Sequence, residues 1–154
     1  MKIADALSKE LIISSLAAKT KVDCLMEFAR TIAQQHTELK KDEIAHVLLE
    51  REKLGSTGIQ DGIAIPHGKI KALSNILISF GRSLEGIDFQ AYDSKPTFLF
   101  FVLLAPEEAT SIHLKLLARL SRLLKSAQLR EDLMKAKDAE ALYKILCEED
   151  EKLQ

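Results

Sequence analysis

The chain has 154 residues, enough for one compact domain spanning 1–154, and its 47% hydrophobic and 29% charged residues exclude a disordered tail or a membrane protein. Lys and Arg total 22 against 23 Asp and Glu, so the formal charge of -1 leaves no basic surface for nucleic acid. The longest apolar run, Phe98 to Ala105, is too short to cross a bilayer, and the opening residues reach Asp5 without the apolar core of a signal peptide. Cys24 and Cys147 lie far apart with no Cys-x-x-Cys, which argues against a disulfide scaffold or a zinc site. The expectation is a soluble, reduced, cytoplasmic protein without metal.

Leu11-Ile12-Ile13 reads as a short strand. Thr20 caps a helix with Asp23 three residues on and Leu25, Phe28, Ala29 and Ile32 along one face. A second helix runs from about Asp42 to Lys53 with Ile44, Val47 and Leu48 inward, and Gly55 stops it. Ile63-Ala64-Ile65 is another short strand candidate. Ile76 to Phe80 and Thr97 to Leu104 are rich in branched and aromatic residues, and the second does not alternate, as in a strand buried on both faces. After Pro106 the helical period returns: Thr110 is a cap candidate, and His113, Leu116, Leu117, Leu120 and Leu124 form one stripe. Ser126 and Asp138 cap two more helices ending near Glu148. Strands flanked by helices imply a three-layer α/β/α domain whose strand order the pattern leaves open.

Four of the six glycines, Gly55, Gly58, Gly62 and Gly68, fall in one window that ends Ile65-Pro66-His67-Gly68-Lys69. Glycines allow positive φ and close backbone approach to an anion. Pro66 fixes its own φ and Gly68 removes bulk, so His67 stands with little steric cover where another large molecule can reach it as nucleophile or base. The same pattern also suits a plain loop. It is no Walker loop, because Ile70 follows Lys69 and the glycine spacing is wrong, and neither Gly-x-Ser-x-Gly nor His-Glu-x-x-His occurs.

Arg51-Glu52-x-x-Gly55-x-Thr57-Gly58 followed by Gly62-Ile63-Ala64-Ile65-Pro66-His67-Gly68 resembles the IIA domains of the bacterial phosphoenolpyruvate:sugar phosphotransferase system, fructose/mannitol class (type 2), and most of all that class's free-standing nitrogen-regulatory branch. The likeness spans essentially the whole chain. It implies a mixed sheet of about four or five strands between helices. It also implies that His67 accepts a phosphoryl group from a phosphohistidine carrier of the HPr or NPr type, that His113 is the second histidine of the site, that Arg51 contacts the phosphate, and that Thr57, with Ser56 and Gly68, belongs to the site loop. No cofactor is implied, since a phosphohistidine is labile enough to be passed on without nucleotide or metal.

Elementary chemistry fits these roles. Transfer between two histidines needs a neutral attacking nitrogen, positioning and charge stabilisation. His113 falls in the first turn of its helix, where the dipole disfavours a cation; it also suits a satisfied core histidine. A bidentate guanidinium suits phosphate, although Arg51 also suits a surface salt bridge with Glu50 or Glu52. Lys69 suits a phosphate or partner contact or a plain surface position. His36 and His46 read as structural or surface residues, Cys24 and Cys147 as small hydrophobes. Gln60-Asp61 departs from the Gly-Asn usual in the nitrogen-related pattern, so Asp61 either faces solvent or tunes the transfer. Ile63, Ile65 and Ile70 are expected to rim the site. With no membrane module and no phosphorylatable cysteine loop of a IIB module in these 154 residues, the expected role is a carrier whose phosphorylation state regulates partner proteins; the alternatives are a sugar-pathway IIA serving a separate IIB component, and a binding module that does not transfer.

Overall fold

The computed structural model describes residues 1–153. Among them six helices and five strands follow the order α1 (Ile3–Ala6), β1 (Leu7–Ile13), α2 (Lys21–Gln35), α3 (Lys41–Lys53), β2 (Ile63–Ala64), β3 (His67–Lys69), β4 (Leu77–Ile87), β5 (Thr97–Ala105), α4 (Thr110–Leu123), α5 (Ala127–Lys135) and α6 (Ala139–Lys152). The sheet is mixed, in the order β1-β4-β5-β2, with β3 also on β5. β1 runs parallel to β4, β4 antiparallel to β5, and β2 and β3 parallel to β5.

Strand β5 explains the layering. Phe100, Val102 and Leu104 point into one core with Phe28, Ile32, Ile44 and Leu48 of α2 and α3. Leu99, Phe101, Leu103 and Ala105 point into the other with Leu116, Leu120, Leu133 and Leu142 of α4, α5 and α6. A strand with helices on both faces has no polar side to show, hence its unbroken apolar run. The three-layer expectation therefore holds, with a five-stranded sheet.

Local chemistry accounts for the helix starts. Thr20, Ser126 and Asp138 each accept a hydrogen bond from the backbone N–H three residues on, at Asp23, Leu129 and Ala141. Thr110 is not a cap: Ala109 occupies that position with no side-chain bond, and the Thr110 hydroxyl instead accepts from Lys69 Nζ. α6 continues past Glu148 to Lys152, where buried Asp150 takes Arg119 Nε at 2.7 Å and the N–H of Ala4 at 3.0 Å. Strand β1 begins at Leu7, four residues before the predicted Leu11. No helix among the described residues is long and apolar enough to cross a membrane.

Two differences from the sequence reading shape the site. His67-Gly68-Lys69 is strand rather than the connection after one, because β2 and β3 keep a single register against β5: Ile63 faces Leu99, Ala64 faces Phe100 and His67 faces Leu103. The break falls at Ile65-Pro66, and Pro66, which has no N–H to give, still accepts from Leu103 N–H at 2.9 Å. Secondly, Ile63, Ile65 and Ile70 do not rim anything. They are 2%, 6% and 1% exposed, since Ile63 and Ile65 pack into the core with α4, α5 and α6, and Ile70 into the core with α2 and α3.

Candidate functional site

The end of α3 and the start of α4 meet at His67, and the Ser56–Gly62 loop holds the Ile65 peptide to which the ring is bonded. The loop is a tight hairpin. Asp61 and Gly62 sit at φ of 64° and 75°, Ile59 N–H donates to Ile63 O at 2.8 Å, and Ile65 N–H donates to Thr57 O at 3.1 Å. Two successive positive φ values are what an Asp-Gly hairpin turn supplies. Asp61 is exposed at this tip, so of the two readings of the Gln60-Asp61 departure the structure takes the solvent-facing one.

The His67 ring is held at both nitrogens. Nδ1 lies 2.8 Å from Ile65 O, and because a carbonyl can only accept, Nδ1 carries the proton. Nε2 then presents a lone pair, which accepts from Arg51 Nε–H at 3.3 Å. Burial, with the nearby guanidinium, holds the His67 pKa below the ordinary imidazole value despite the opposing Ile65 bond. The ring is therefore neutral, in one tautomer, with its nucleophilic nitrogen turned to a cation.

Arg51 reaches this place from the last turn of α3. Its Nη1 donates to Gly55 O at 2.9 Å, so the guanidinium braces the chain that leaves the helix while Nε faces the imidazole. The expected alternative, an ion pair with Glu50 or Glu52, is not what either carboxylate does: Glu50 pairs with Lys53, and Glu52 is buried with Lys21 and Thr57.

His113, in the first turn of α4, stands edge-on to His67, with ring centroids 5.3 Å apart and planes at 87°. It is 6% exposed, and its Nε2 is buried without a hydrogen-bond partner. Burial first, then the neighbouring His67 and Lys69, push its pKa down to about 4. A neutral imidazole with an unused buried nitrogen costs desolvation energy, and the cost is offset only when an oxygen or other polar atom arrives beside it.

The other sequence candidates form the frame rather than the mouth of the site. Ser56 Oγ donates to Phe89 O at 2.9 Å and accepts from Gly58 N–H at 3.0 Å. The Thr57 hydroxyl donates to Glu52, and its N–H reaches the same carboxylate at 3.1 Å. Gly68 is where α3 comes down on the sheet: a Cβ there would stand 2.3 Å from Val47 Cγ1. Lys69 is exposed. His46 is exposed on α3, and half-buried His36 at the end of α2 lies 3.5 Å from Glu38. Cys24 is fully buried, which pushes its thiol pKa up, and Cys147 is half-buried; both are free. The apolar residues exposed beside the site segments are Leu54, Ile59, Ile112 and Leu114. Sequence reasoning missed Glu52 and Lys21, because a Glu in an Arg-Glu-Lys run and a Lys after a cap both read as solvated charges.

These features define a three-layer α/β domain that presents a neutral, oriented imidazole on its edge strand beneath an arginine and beside a second neutral histidine. The chain belongs to the phosphoenolpyruvate-dependent sugar phosphotransferase system EIIA type 2 family, which matches residues 5–149. Members are components of a phosphotransferase. A nitrogen regulatory protein of Bradyrhizobium diazoefficiens is 41% identical over 146 residues, 95% of each chain. The fructose-specific EIIABC component of Bacillus subtilis is 35% identical over 150 residues, 97% of this chain and 24% of the relative. The nitrogen regulatory protein IIA-Ntr of Neisseria meningitidis superposes with a TM-score of 0.87 at 34% identity, covering 94% of this chain and 98% of that one.

Proposed function

We propose that this protein is a cytoplasmic phosphoryl carrier that takes a phosphoryl group onto His67 Nε2 from a phosphohistidine carrier of the HPr or NPr type, and that its phosphorylation state sets its affinity for regulatory partner proteins. The observation that carries the reading is the pair of bonds on His67. Nδ1–H is given to Ile65 O, so the lone pair is on Nε2, and Nε2 faces Arg51.

The step balances without cofactor, water or proton transfer. The Nε2 lone pair forms the new N–P bond as the N–P bond of a donor protonated on its other ring nitrogen breaks, the bonding pair returns to that donor, which leaves as neutral imidazole, and the His67 proton stays on Nδ1, hydrogen-bonded to Ile65 O. Arg51 exchanges the lone pair for phosphoryl oxygens, where a charge-assisted donor has most effect in the transition state. His113 supplies a neutral ring beside the same oxygens, favourable to an anion at a helix start. Ser56, Thr57 and Gly68 keep the loop and α3 in place. The relatives named as nitrogen regulatory proteins favour the regulatory role.

Incubation with phosphoenolpyruvate, enzyme I and HPr, read by intact mass, should add one phosphate to the wild type and none to folded His67→Ala. A native rate of uptake in the variant overturns the assignment, and no uptake by the wild type favours a module that only binds. The Bacillus fructose component supports a second reading, in which the phosphoryl group passes to a separate IIB. Transfer onward to a purified IIB separates the two, as does a pull-down partner: the regulatory reading expects His67→Asp to bind it more weakly than His67→Ala.

A further inference from the structure

Glu52 is out of place by every local rule. It sits in the last turn of α3, the helix end where an anion is disfavoured, and its side chain is 5% exposed. A buried carboxylate needs partners for its lone pairs, and Glu52 has them. Oε1 takes Lys21 Nζ at 2.7 Å and Thr57 N–H at 3.1 Å, and Oε2 takes the Thr57 hydroxyl. The Lys21 ammonium, itself almost covered, lies 4.8 Å over the Phe89 ring, so the pair is fixed from both sides.

What this pair holds is the residue that orients the acceptor. Thr57 O receives the N–H of Ile65 at 3.1 Å, and Ile65 O receives Nδ1–H of His67 at 2.8 Å. Ile65 precedes Pro66, which offers no N–H of its own, and it lies at the break between β2 and β3. Its bond to Thr57 O is thus its anchor on the side away from β5. We infer that Glu52 is a positioning residue for His67: its buried carboxylate, paired with Lys21, fixes Thr57, Thr57 fixes the Ile65 peptide, and the Ile65 carbonyl sets the tautomer and direction of the imidazole. Hydrophobic residues at 21 and 52 would fill the same space at lower desolvation cost. They would leave Thr57 N–H and its hydroxyl unheld.

The inference rests on His67 as acceptor for its kinetic readout but not for its spectroscopic one. The experiment compares wild type, Glu52→Gln and Thr57→Val. Gln at 52 keeps the volume but turns one acceptor oxygen into a donor that meets the Lys21 ammonium or the Thr57 N–H. The ¹⁵N signals of the His67 imidazole report which nitrogen carries the proton, with no donor protein present. Single-turnover uptake from phosphorylated HPr reports the rate. Expected are a mixed tautomer signal in Glu52→Gln and a rate at saturating donor lower by roughly tenfold to hundredfold, the range for a misplaced reacting group, with the donor concentration at half-maximal rate unchanged. Thr57→Val, which keeps the N–H contact, should show a smaller loss of the same kind. A single Nδ1–H tautomer in both variants overturns the inference, whatever happens to their melting temperatures. Should the wild type take up no phosphate, the function proposed above fails while the tautomer comparison still decides the role of Glu52.

Discussion

Gly68→Ala tests how the strand that carries His67 and the arginine are held together. Gly68 is not at positive φ, so alanine suits its backbone and the only obstacle is α3. The added Cβ would stand 2.3 Å from Val47 Cγ1, where carbon atoms normally keep about 3.5–4.0 Å. Either α3 retreats by more than about 1 Å or Val47 leaves its rotamer, and a valine in a helix has one strongly preferred χ1. Overpacking of this kind costs about 1–3 kcal/mol. Retreat of α3 has a second effect, because Arg51 lies one turn beyond Val47 and its Nε now sits 3.3 Å from His67 Nε2. A displacement near 1 Å at that contact slows transfer by up to roughly 10²-fold. Val47→Ala deletes the colliding methyl, so the double variant should recover both stability and rate relative to Gly68→Ala. Denaturant unfolding and single-turnover uptake on the four proteins complete the cycle. Additive penalties, or a Gly68→Ala protein with native stability and rate, would refute the account of how helix and strand meet.

Removing Arg51 as alanine should slow phosphoryl uptake by roughly 10²–10³ without abolishing it, the loss expected for one charge-assisted donor; a rate within a factor of about two of wild type would return the side chain to the solvent. The His113 pKa falls from 6.5 to about 4 on folding, so between those values the unfolded chain binds a proton the folded chain does not. Stability should therefore fall as pH is lowered through that window, and His113→Gln should flatten the slope in urea titrations at several pH values. Arg82 is buried and gives its hydrogens to carbonyls of Ser14, Leu133 and Ala136. Its replacement by methionine should cost about 3 kcal/mol, roughly 6–12 °C in melting temperature, while the molecules that remain folded take up phosphate at the native rate.

Much of this was legible because the relevant signals are local. The β5 run, the faces of α2 and α3 and the caps at Thr20, Ser126 and Asp138 depend on neighbours in sequence. The site window stood out through its glycines and Pro66-His67-Gly68, but those residues alone suited a plain loop equally well, and the roles given to His67, His113 and Arg51 came from the family resemblance. What escaped depended on partners far along the chain. His67-Gly68-Lys69 has no strand propensity, and becomes strand only because β5 holds the register of β2 past the break. Ile63, Ile65 and Ile70 could be placed on a rim only by ignoring the helices that cover them, Ile63 and Ile65 in the core with α4, α5 and α6, and Ile70 in the core with α2 and α3. Glu52 could be recognised as buried only once Lys21, thirty-one positions earlier in the chain by number, stood beside it.

The bond from Nδ1 to Ile65 O has a consequence for what can lie against this side of the sheet. β2 and β3 form an edge, and a free edge is a template on which another extended chain can add itself. Along β2 and the break after it the outward groups are taken: Ile63 O by Ile59 N–H, Ile65 N–H by Thr57 O, and Ile65 O by the imidazole. The His67 ring thus stoppers the break that precedes the strand carrying it. A protein that approaches this stretch finds the Ile65 peptide already bonded on both its N–H and its carbonyl, and meets the side chains of His67, Arg51 and His113 beside it. Under the proposed function a phosphoryl group on the other nitrogen would leave this stopper in place, so the break stays closed whether or not the ring is loaded.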